Sequence, residues 1–135
     1  MADGRTHDLH GLVATIMAVA VCAPMILQQD MQWAALPIGV FLGTWLVSPD
    51  LDMWNTTPTR RWGPLRILWA PYCWLFDHRG LSHGWFTGPL SRLLYMGIPI
   101  SLVWWFFGFE GAGPWVGLLA IGITLGNWVH LLGDS

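Results

Sequence analysis

Four stretches of this 135-residue chain carry no charged residue: 11–29, 31–49 and 111–129, each 19 residues long, and 93–109, which is 17. A helix crossing a hydrocarbon core of about 30 Å needs about 20 apolar residues, within a range of about 17–25. Backbone groups in lipid must be bonded inside the segment, which a helix achieves. The spacing therefore predicts an all-α membrane protein with four transmembrane helices, roughly 11–29, 31–49, 93–109 and 111–130, in one integral membrane domain over 1–135. Pro24 and the pair Gln28-Gln29 shorten the apolar part of the first run. Only 10% of the residues are charged, against about 25% in a soluble domain. That excludes a disordered tail and a basic nucleic-acid binder, both of which need charge density.

A shorter apolar stretch, 65–76, contains Arg66 and Pro71. It is too short to span, so a short interfacial or re-entrant helical segment is expected between the second and third helices. Trp62, Trp69, Tyr72 and Trp74 suit the membrane–water boundary. The N-terminal MADGRTHDLHG carries acids and histidines, unlike a signal peptide, and is expected to be retained. Cys22 and Cys73 form no C-x-x-C pair and predict no disulfide framework. Asn55-Thr56-Thr57 matches a glycosylation acceptor, a short pattern that the topology opposes.

Four crossings put both termini and the 50–92 connection on one side. All six basic residues (Arg5, Arg60, Arg61, Arg66, Arg79 and Arg92) and all five histidines fall there; the opposite side keeps only Asp30 and Glu110. Six arginines against none place that side in the cytoplasm. The histidines took no part in this inference, so their convergence is an independent sign of a site. Gly39/Gly43 and Gly122/Gly126 are G-x-x-x-G pairs in the second and fourth runs. Such pairs let helix backbones approach closely in lipid. If they pack together, Asp50 and His130 meet at the cytoplasmic end.

Four short constellations bear the chemistry. Ser48-Pro49-Asp50-Leu51-Asp52 offers two carboxylates that point the same way if the chain is extended; alone, it also reads as a solvated helix-end turn. Asp77-His78-Arg79-Gly80-Leu81-Ser82-His83-Gly84 offers two imidazoles on a loop and a guanidinium fork suited to phosphate. A cytoplasmic loop meeting lipid headgroups has the same composition. His130 and Asp134, at i and i+4, share a helix face with Asn127 behind them, unless Gly133 ends the helix first. His7 and His10 line up in a helical turn that Thr6 caps, or belong to an ordinary polar terminus. Clustered ionisable groups beside a membrane are costly, and so favour function over accident. Asp with His suits Zn, Mn or Fe better than Ca²⁺. Seven or eight ligands exceed one tetrahedral site, so two ions about 3.5–4 Å apart are expected.

Gly4-Arg-Thr-His-Asp8, Ser48-Pro-Asp-Leu-Asp52, Arg60-Arg-Trp-Gly-Pro64, His78-Arg-Gly-Leu-Ser-His-Gly84 and His130-x-x-x-Asp134 occur in that order. The chain thereby resembles a bacterial family of small membrane proteins described as metal-binding, and more distantly is similar to membrane-bound metal-dependent hydrolases. The resemblance spans nearly the whole chain. It implies His7, Asp50, Asp52, His78, His83, His130 and Asp134 as ligands, with His10 a looser match.

The function expected is an integral membrane metal-binding protein of the bacterial inner membrane, acting as a metal-dependent, phosphoesterase-like hydrolase. Asp52 and Arg79 are its expected catalytic residues, and lipid or an amphiphilic or phosphorylated molecule its partner. Arg60 and Arg61 stand by as further anion binders. The alternative is a non-enzymatic subunit or assembly factor of a larger membrane complex, for which eleven tryptophans give a broad aromatic surface. An ion carrier or sensor ranks last, because no span has a mid-membrane acid or histidine. There is no G-x-x-x-x-G-K-[ST] phosphate loop and no G-x-S-x-G elbow.

Overall fold

The computed structural model describes residues 4–76, 80–108 and 110–134, with side chains from Thr6 onward. Every regular element among them is helical. Helix α1 (Gly4–Leu27) leads through a 3-10 turn (Met31–Ala34) into α2 (Ala35–Trp45). A second 3-10 turn (Pro49–Asp52), the one-turn α3 (Thr57–Arg61), a longer 3-10 stretch (Gly63–Trp69), α4 (Ala70–Leu75) and a last 3-10 turn (Leu81–His83) follow. Helices α5 (Thr87–Phe107) and α6 (Gly113–Asp134) complete the chain.

Three helical segments, Thr6–Leu27, Thr87–Phe107 and Gly113–Asp134, are long and apolar enough to cross a membrane. The second apolar run departs from the expected 31–49 span. It folds as a 3-10 turn and then an 11-residue helix, which at 1.5 Å per residue is about 16 Å long. Its C-terminal limit is local. Ser48 precedes Pro49 and is extended (φ −76°, ψ 162°), because the proline ring clashes with a helical residue before it. The other spans are displaced from their sequence limits. Helix α1 starts at Gly4 rather than 11, and so includes His7, Asp8 and His10. Helix α5 starts at Thr87 rather than 93, and so takes Arg92 into its interior.

The two G-x-x-x-G pairs do meet. A Cβ built on Gly39 would lie 2.9 Å from the Gly122 Cα, and one built on Gly126 would lie 3.0 Å from the Gly43 Cα. The order of these contacts makes α2 and α6 parallel. Helix α1 runs antiparallel to both, with Gly11 beside Thr44 and Gly133 beside His7. Thus the C-terminal ends of α2 and α6 and the start of α1 lie together.

The core sits just below that end. Val47, Leu51, Trp69, Tyr72 and Ile123 are buried against one another. Trp69 and Tyr72, expected at the membrane boundary, are 1% and 0% exposed, whereas Trp74 is 87% exposed. The short segment therefore buries one aromatic face and exposes the other. Rings of Trp62, Trp69, Tyr72 and Tyr95 meet edge-on or tilted at 5.3–5.6 Å between centroids, within the range of favourable aromatic contact.

Candidate metal centre

Five side chains from four segments converge at the shared end: His7 of α1, Asp50 of the 49–52 turn, His83 of the 81–83 turn, and His130 and Asp134 of α6. They form two overlapping groups, His7/His130/Asp134 and Asp50/His83/Asp134. Within each group the prospective ligand atoms all lie within 4.8 Å of one another.

Helical periodicity places the α6 pair. His130 Nε2 stands 3.5 Å from Asp134 Oδ2, one turn away. Gly133 does not end the helix, and its missing side chain has another use. A Cβ there would lie 2.9 Å from His7 Nδ1 and 3.2 Å from His10 Nδ1, so the glycine admits the first turns of α1. His7 Nε2 then reaches Asp134 Oδ1 at 3.2 Å, and the His7 and His130 rings stack at 4.2 Å between centroids and 13° between planes. The start of α1 is pinned by the next residue. Arg61 Nη2 donates to both Asp8 carboxylate oxygens at 2.8 Å, and Nη1 donates to the Trp45 carbonyl at 3.1 Å. The pair is part-exposed and contributes at most about 1 kcal/mol; its effect is on register. Arg61, expected as an anion binder, is committed to this contact. His10 is exposed, with its ring edge beside Gly133.

The 49–52 turn is held by its neighbours. The Thr56 hydroxyl donates to the Asp50 carbonyl at 2.8 Å, the Cys73 thiol to the Leu51 carbonyl at 3.1 Å, and the Leu51 side chain is fully buried. The two acids were expected to point the same way in an extended chain. In a 3-10 turn, with about three residues per turn, residues two apart diverge. They take opposite edges of one imidazole: His83 Nε2 is 3.6 Å from Asp50 Oδ1, and His83 Nδ1 is 3.4 Å from Asp52 Oδ2. Ser82 Oγ also donates to Asp52 Oδ2. Asp50 presents its other oxygen, Oδ2, to His130 Nε2 at 3.3 Å. His78 and Arg79, expected as a ligand and a catalytic group, lie outside the described residues.

Electrostatics bind these groups further. Burial alone would push the Asp50 carboxyl up, but the imidazoles of His130 and His83 beside it outweigh that and hold Asp50 well below the usual carboxylate range. Hydrogen bonds to Asp50 and Asp52, against the effect of burial, push His83 up to about 9.

The donor set fits a divalent transition ion. His130 Nε2 is buried and makes no hydrogen bond, although carboxylate oxygens stand 3.3 and 3.5 Å away. A buried ring nitrogen aimed between two carboxylates is satisfied by a cation that all three ligate. Imidazole with carboxylate is the donor mixture of Zn, Mn and Fe sites. Tetrahedral ligands at about 2.0–2.1 Å stand about 3.4 Å apart, so a modest contraction would close either group on an ion.

An all-helical protein with long apolar helices and an Asp/His cluster at one end is the class that fold and site define. Residues 2–115 match the family described as "Uncharacterized metal-binding protein (DUF2227)". The match covers most of the chain, and the protein belongs to that family. His7, Asp50, Asp52 and His83 fall inside the matched residues; His130 and Asp134 lie beyond them. A protein of Aquifex aeolicus (strain VF5), described as an uncharacterized protein, is 47% identical over 60 residues. That alignment covers 44% of this chain and 42% of the relative, so the chain matches less than half of the relative's length. No solved structure matches the chain.

Sequence reasoning passed over Arg92, counting it only as a cytoplasmic charge, and took Asn127 only as a neighbour of His130. Both are fully buried. The available signal was that Arg92 is the one charged residue in an otherwise uncharged stretch from Gly80 to Phe109.

Proposed function

We propose that this is an integral membrane metal-binding protein whose Asp/His centre performs metal-dependent, phosphoesterase-like hydrolysis at the cytoplasmic face of the bacterial inner membrane. The observation that carries the proposal is the convergence of His7, Asp50, His83, His130 and Asp134 from four separate segments. Asp50 and Asp134 each direct one oxygen toward one histidine and the second toward another, which supports a centre for two Zn, Mn or Fe ions that both carboxylates would help to hold. His7 and His130 would serve one ion and His83 the other. Such ions supply Lewis acidity toward a phosphoryl or carbonyl oxygen. Asp52, on the Nδ1 edge of His83, fixes which ring nitrogen faces the ions. Arg79, two residues before Leu81, is proposed to bind the anionic part of an amphiphilic or phosphorylated substrate.

Membrane integration is supported by the three long apolar helices. Between them the chain returns through α2 from the far end of α1 to Asp50, so a four-crossing path is proposed with α2 as its short member. Buried Ala35, Gly39, Val40 and Gly43 suit it to a position shielded by α1 and α6. The arginine bias sets the proposed orientation.

Metal content of the full chain, purified in detergent without chelator, tests the reading. Close to two equivalents of Zn, Mn or Fe are expected, falling in His130→Ala and in His83→Ala, with phosphoester hydrolysis by the loaded protein abolished by chelator. Absence of tightly held metal from a folded preparation after supplementation rejects the centre. Stoichiometric metal without any hydrolysis rejects the enzymatic part alone.

A further inference from the structure

We infer that Arg92 and Asn127 form a positioning pair that sets the geometry of the metal centre without touching the ions; the inference rests on the metal-binding reading above. Arg92 is the only charged residue of α5, and it is 0% exposed. A guanidinium inside an apolar helix is costly unless its donors are engaged, and such groups mark function by default. Arg92 Nε donates to Asn127 Oδ1 at 2.7 Å and Nη1 donates to the Ser82 carbonyl at 2.9 Å, while Nη2 is buried without a hydrogen bond. Ser82 is the residue immediately before His83. Helix α5 comes this close to the turn because position 88 is glycine: a Cβ there would lie 2.2 Å from the Ser82 carbonyl oxygen.

Asn127 extends the connection. Arginine has no acceptor, so Asn127 must turn its oxygen to Arg92 and its amide nitrogen away. That nitrogen donates to the Val47 carbonyl at 3.0 Å, the Ile123 carbonyl at 2.8 Å and the Gly43 carbonyl at 3.3 Å. Gly43 lies in the last turn of α2, where helix carbonyls lose their own partners, and Val47 lies two residues beyond that helix. Two side chains thus tie together α5, the turn bearing His83, the helix bearing His130 and Asp134, and the segment leading to Asp50. His130 is three residues beyond Asn127. Val47 is three before Asp50. A slip of any one segment moves a ligand relative to the others, and the pair sits where all four can be held at once.

The arrangement requires a fork. Lysine at 92 would keep the charge but not the two fixed donor directions. Asp at 127 would keep the bond to Arg92 and lose the donor to α2. These substitutions separate positioning from mere folding. Full chains of wild type, Arg92→Lys and Asn127→Asp are purified in detergent, with Thr44→Ala as a comparison: Thr44 is buried and bonds only within its own helix among the described contacts. Helical content, elution volume, affinity for added Co²⁺ and Mn²⁺, and the visible spectrum of the Co²⁺ form are measured.

Positioning predicts that Arg92→Lys and Asn127→Asp keep wild-type helical content and elution. Their metal affinity falls about 10–100-fold, the range for residues that orient ligands, and the Co²⁺ spectrum changes. The double variant is no weaker than the weaker single, because both act through one contact. Thr44→Ala leaves affinity and spectrum as in wild type. Wild-type affinity and spectrum in folded Arg92→Lys and Asn127→Asp overturn the inference while leaving the metal centre standing. A wild-type chain that binds neither ion defeats the centre itself. If one variant fails to fold, the other decides; if neither yields folded protein, the pair is a folding determinant and the positioning role is rejected.

Discussion

His83 lies between two carboxylates, one at each ring nitrogen, and both favour its charged form. Its pKa is thereby pushed up to about 9, against about 6.5 for an unfolded histidine. In the metal-free protein this proton contributes stability that is complete below about pH 6.5 and is lost as pH rises through about 9. An ion at Nε2 must displace it. Loading with Zn²⁺ at pH 7.5, followed by calorimetry in two buffers of different ionisation enthalpy, is expected to release a proton that His83→Gln does not release. Equal release from both forms removes His83 from the ligand set. Gly133 acts at the same scale through absence. Alanine there places a Cβ 2.9 Å from His7 Nδ1 and drives the ring from the site. Gly133→Ala is expected to bind metal about 10-fold or more weakly at unchanged helical content; wild-type affinity shows that His7 is not a ligand.

The contact between α2 and α6 is made of backbone. A Cβ on Gly122 would meet the Leu36 carbonyl oxygen at 2.2 Å, whereas one on Gly117, a turn and a half earlier in the same helix, meets nothing within 4 Å. Backbone cannot rotate aside as a side chain can. Gly122→Ala is therefore expected to destabilise by about 1–3 kcal/mol, while Gly117→Ala is neutral or stabilising by up to about 1 kcal/mol. Thermal unfolding in detergent separates them, and equal midpoints deny that the helices touch there. The end of α1 offers the opposite case. Gln29 sits at φ 66°, with the Asp30 N–H bonded to the Met25 carbonyl and the Gln29 N–H to the Ile26 carbonyl. This is the left-handed helix stop that usually takes glycine. Gln29→Gly is expected to raise stability by about 1 kcal/mol; a lowered midpoint rejects this turn geometry.

At the scale of the molecule, one end is polar and the remainder is clad in exposed Leu, Ile, Val, Phe and Trp side chains. The 3-10 turn and α2 together rise about 24 Å, from four residues at about 2.0 Å and eleven at about 1.5 Å. That is short of the roughly 30 Å of a hydrocarbon core; on the proposed four-crossing path, packing between α1 and α6 would substitute for length. The orientation is testable from the two ends. In a background without Cys22 and Cys73, a cysteine at Glu110 is expected to react with a membrane-impermeant thiol reagent in intact cells, and one at Arg60 only after lysis. Labelling of both in intact cells, or of Arg60→Cys alone, overturns the proposed four-crossing path with its cytoplasmic site.

By itself the sequence determined the helical class, the long apolar segments and the clustering of charge at one end, and it offered the approach of α2 and α6 as one of two readings of their paired glycines. Each follows from local physics: run length, the need to bond backbone in lipid, and the room that paired glycines leave. The i, i+4 pairing of His130 with Asp134 was legible for the same reason. Only the tertiary structure decided how Asp50 and Asp52 divide the two edges of His83, since that depends on a 3-10 turn fixed by Thr56 and Cys73 from elsewhere in the chain. It also decided that Trp69 and Tyr72 belong to the core, that the second apolar run makes a short helix, and that Arg92 lies inside a helix with Asn127 as its partner. Those outcomes rest on contacts between residues 6 to 84 positions apart, and no periodicity or spacing records which distant groups will satisfy a buried donor.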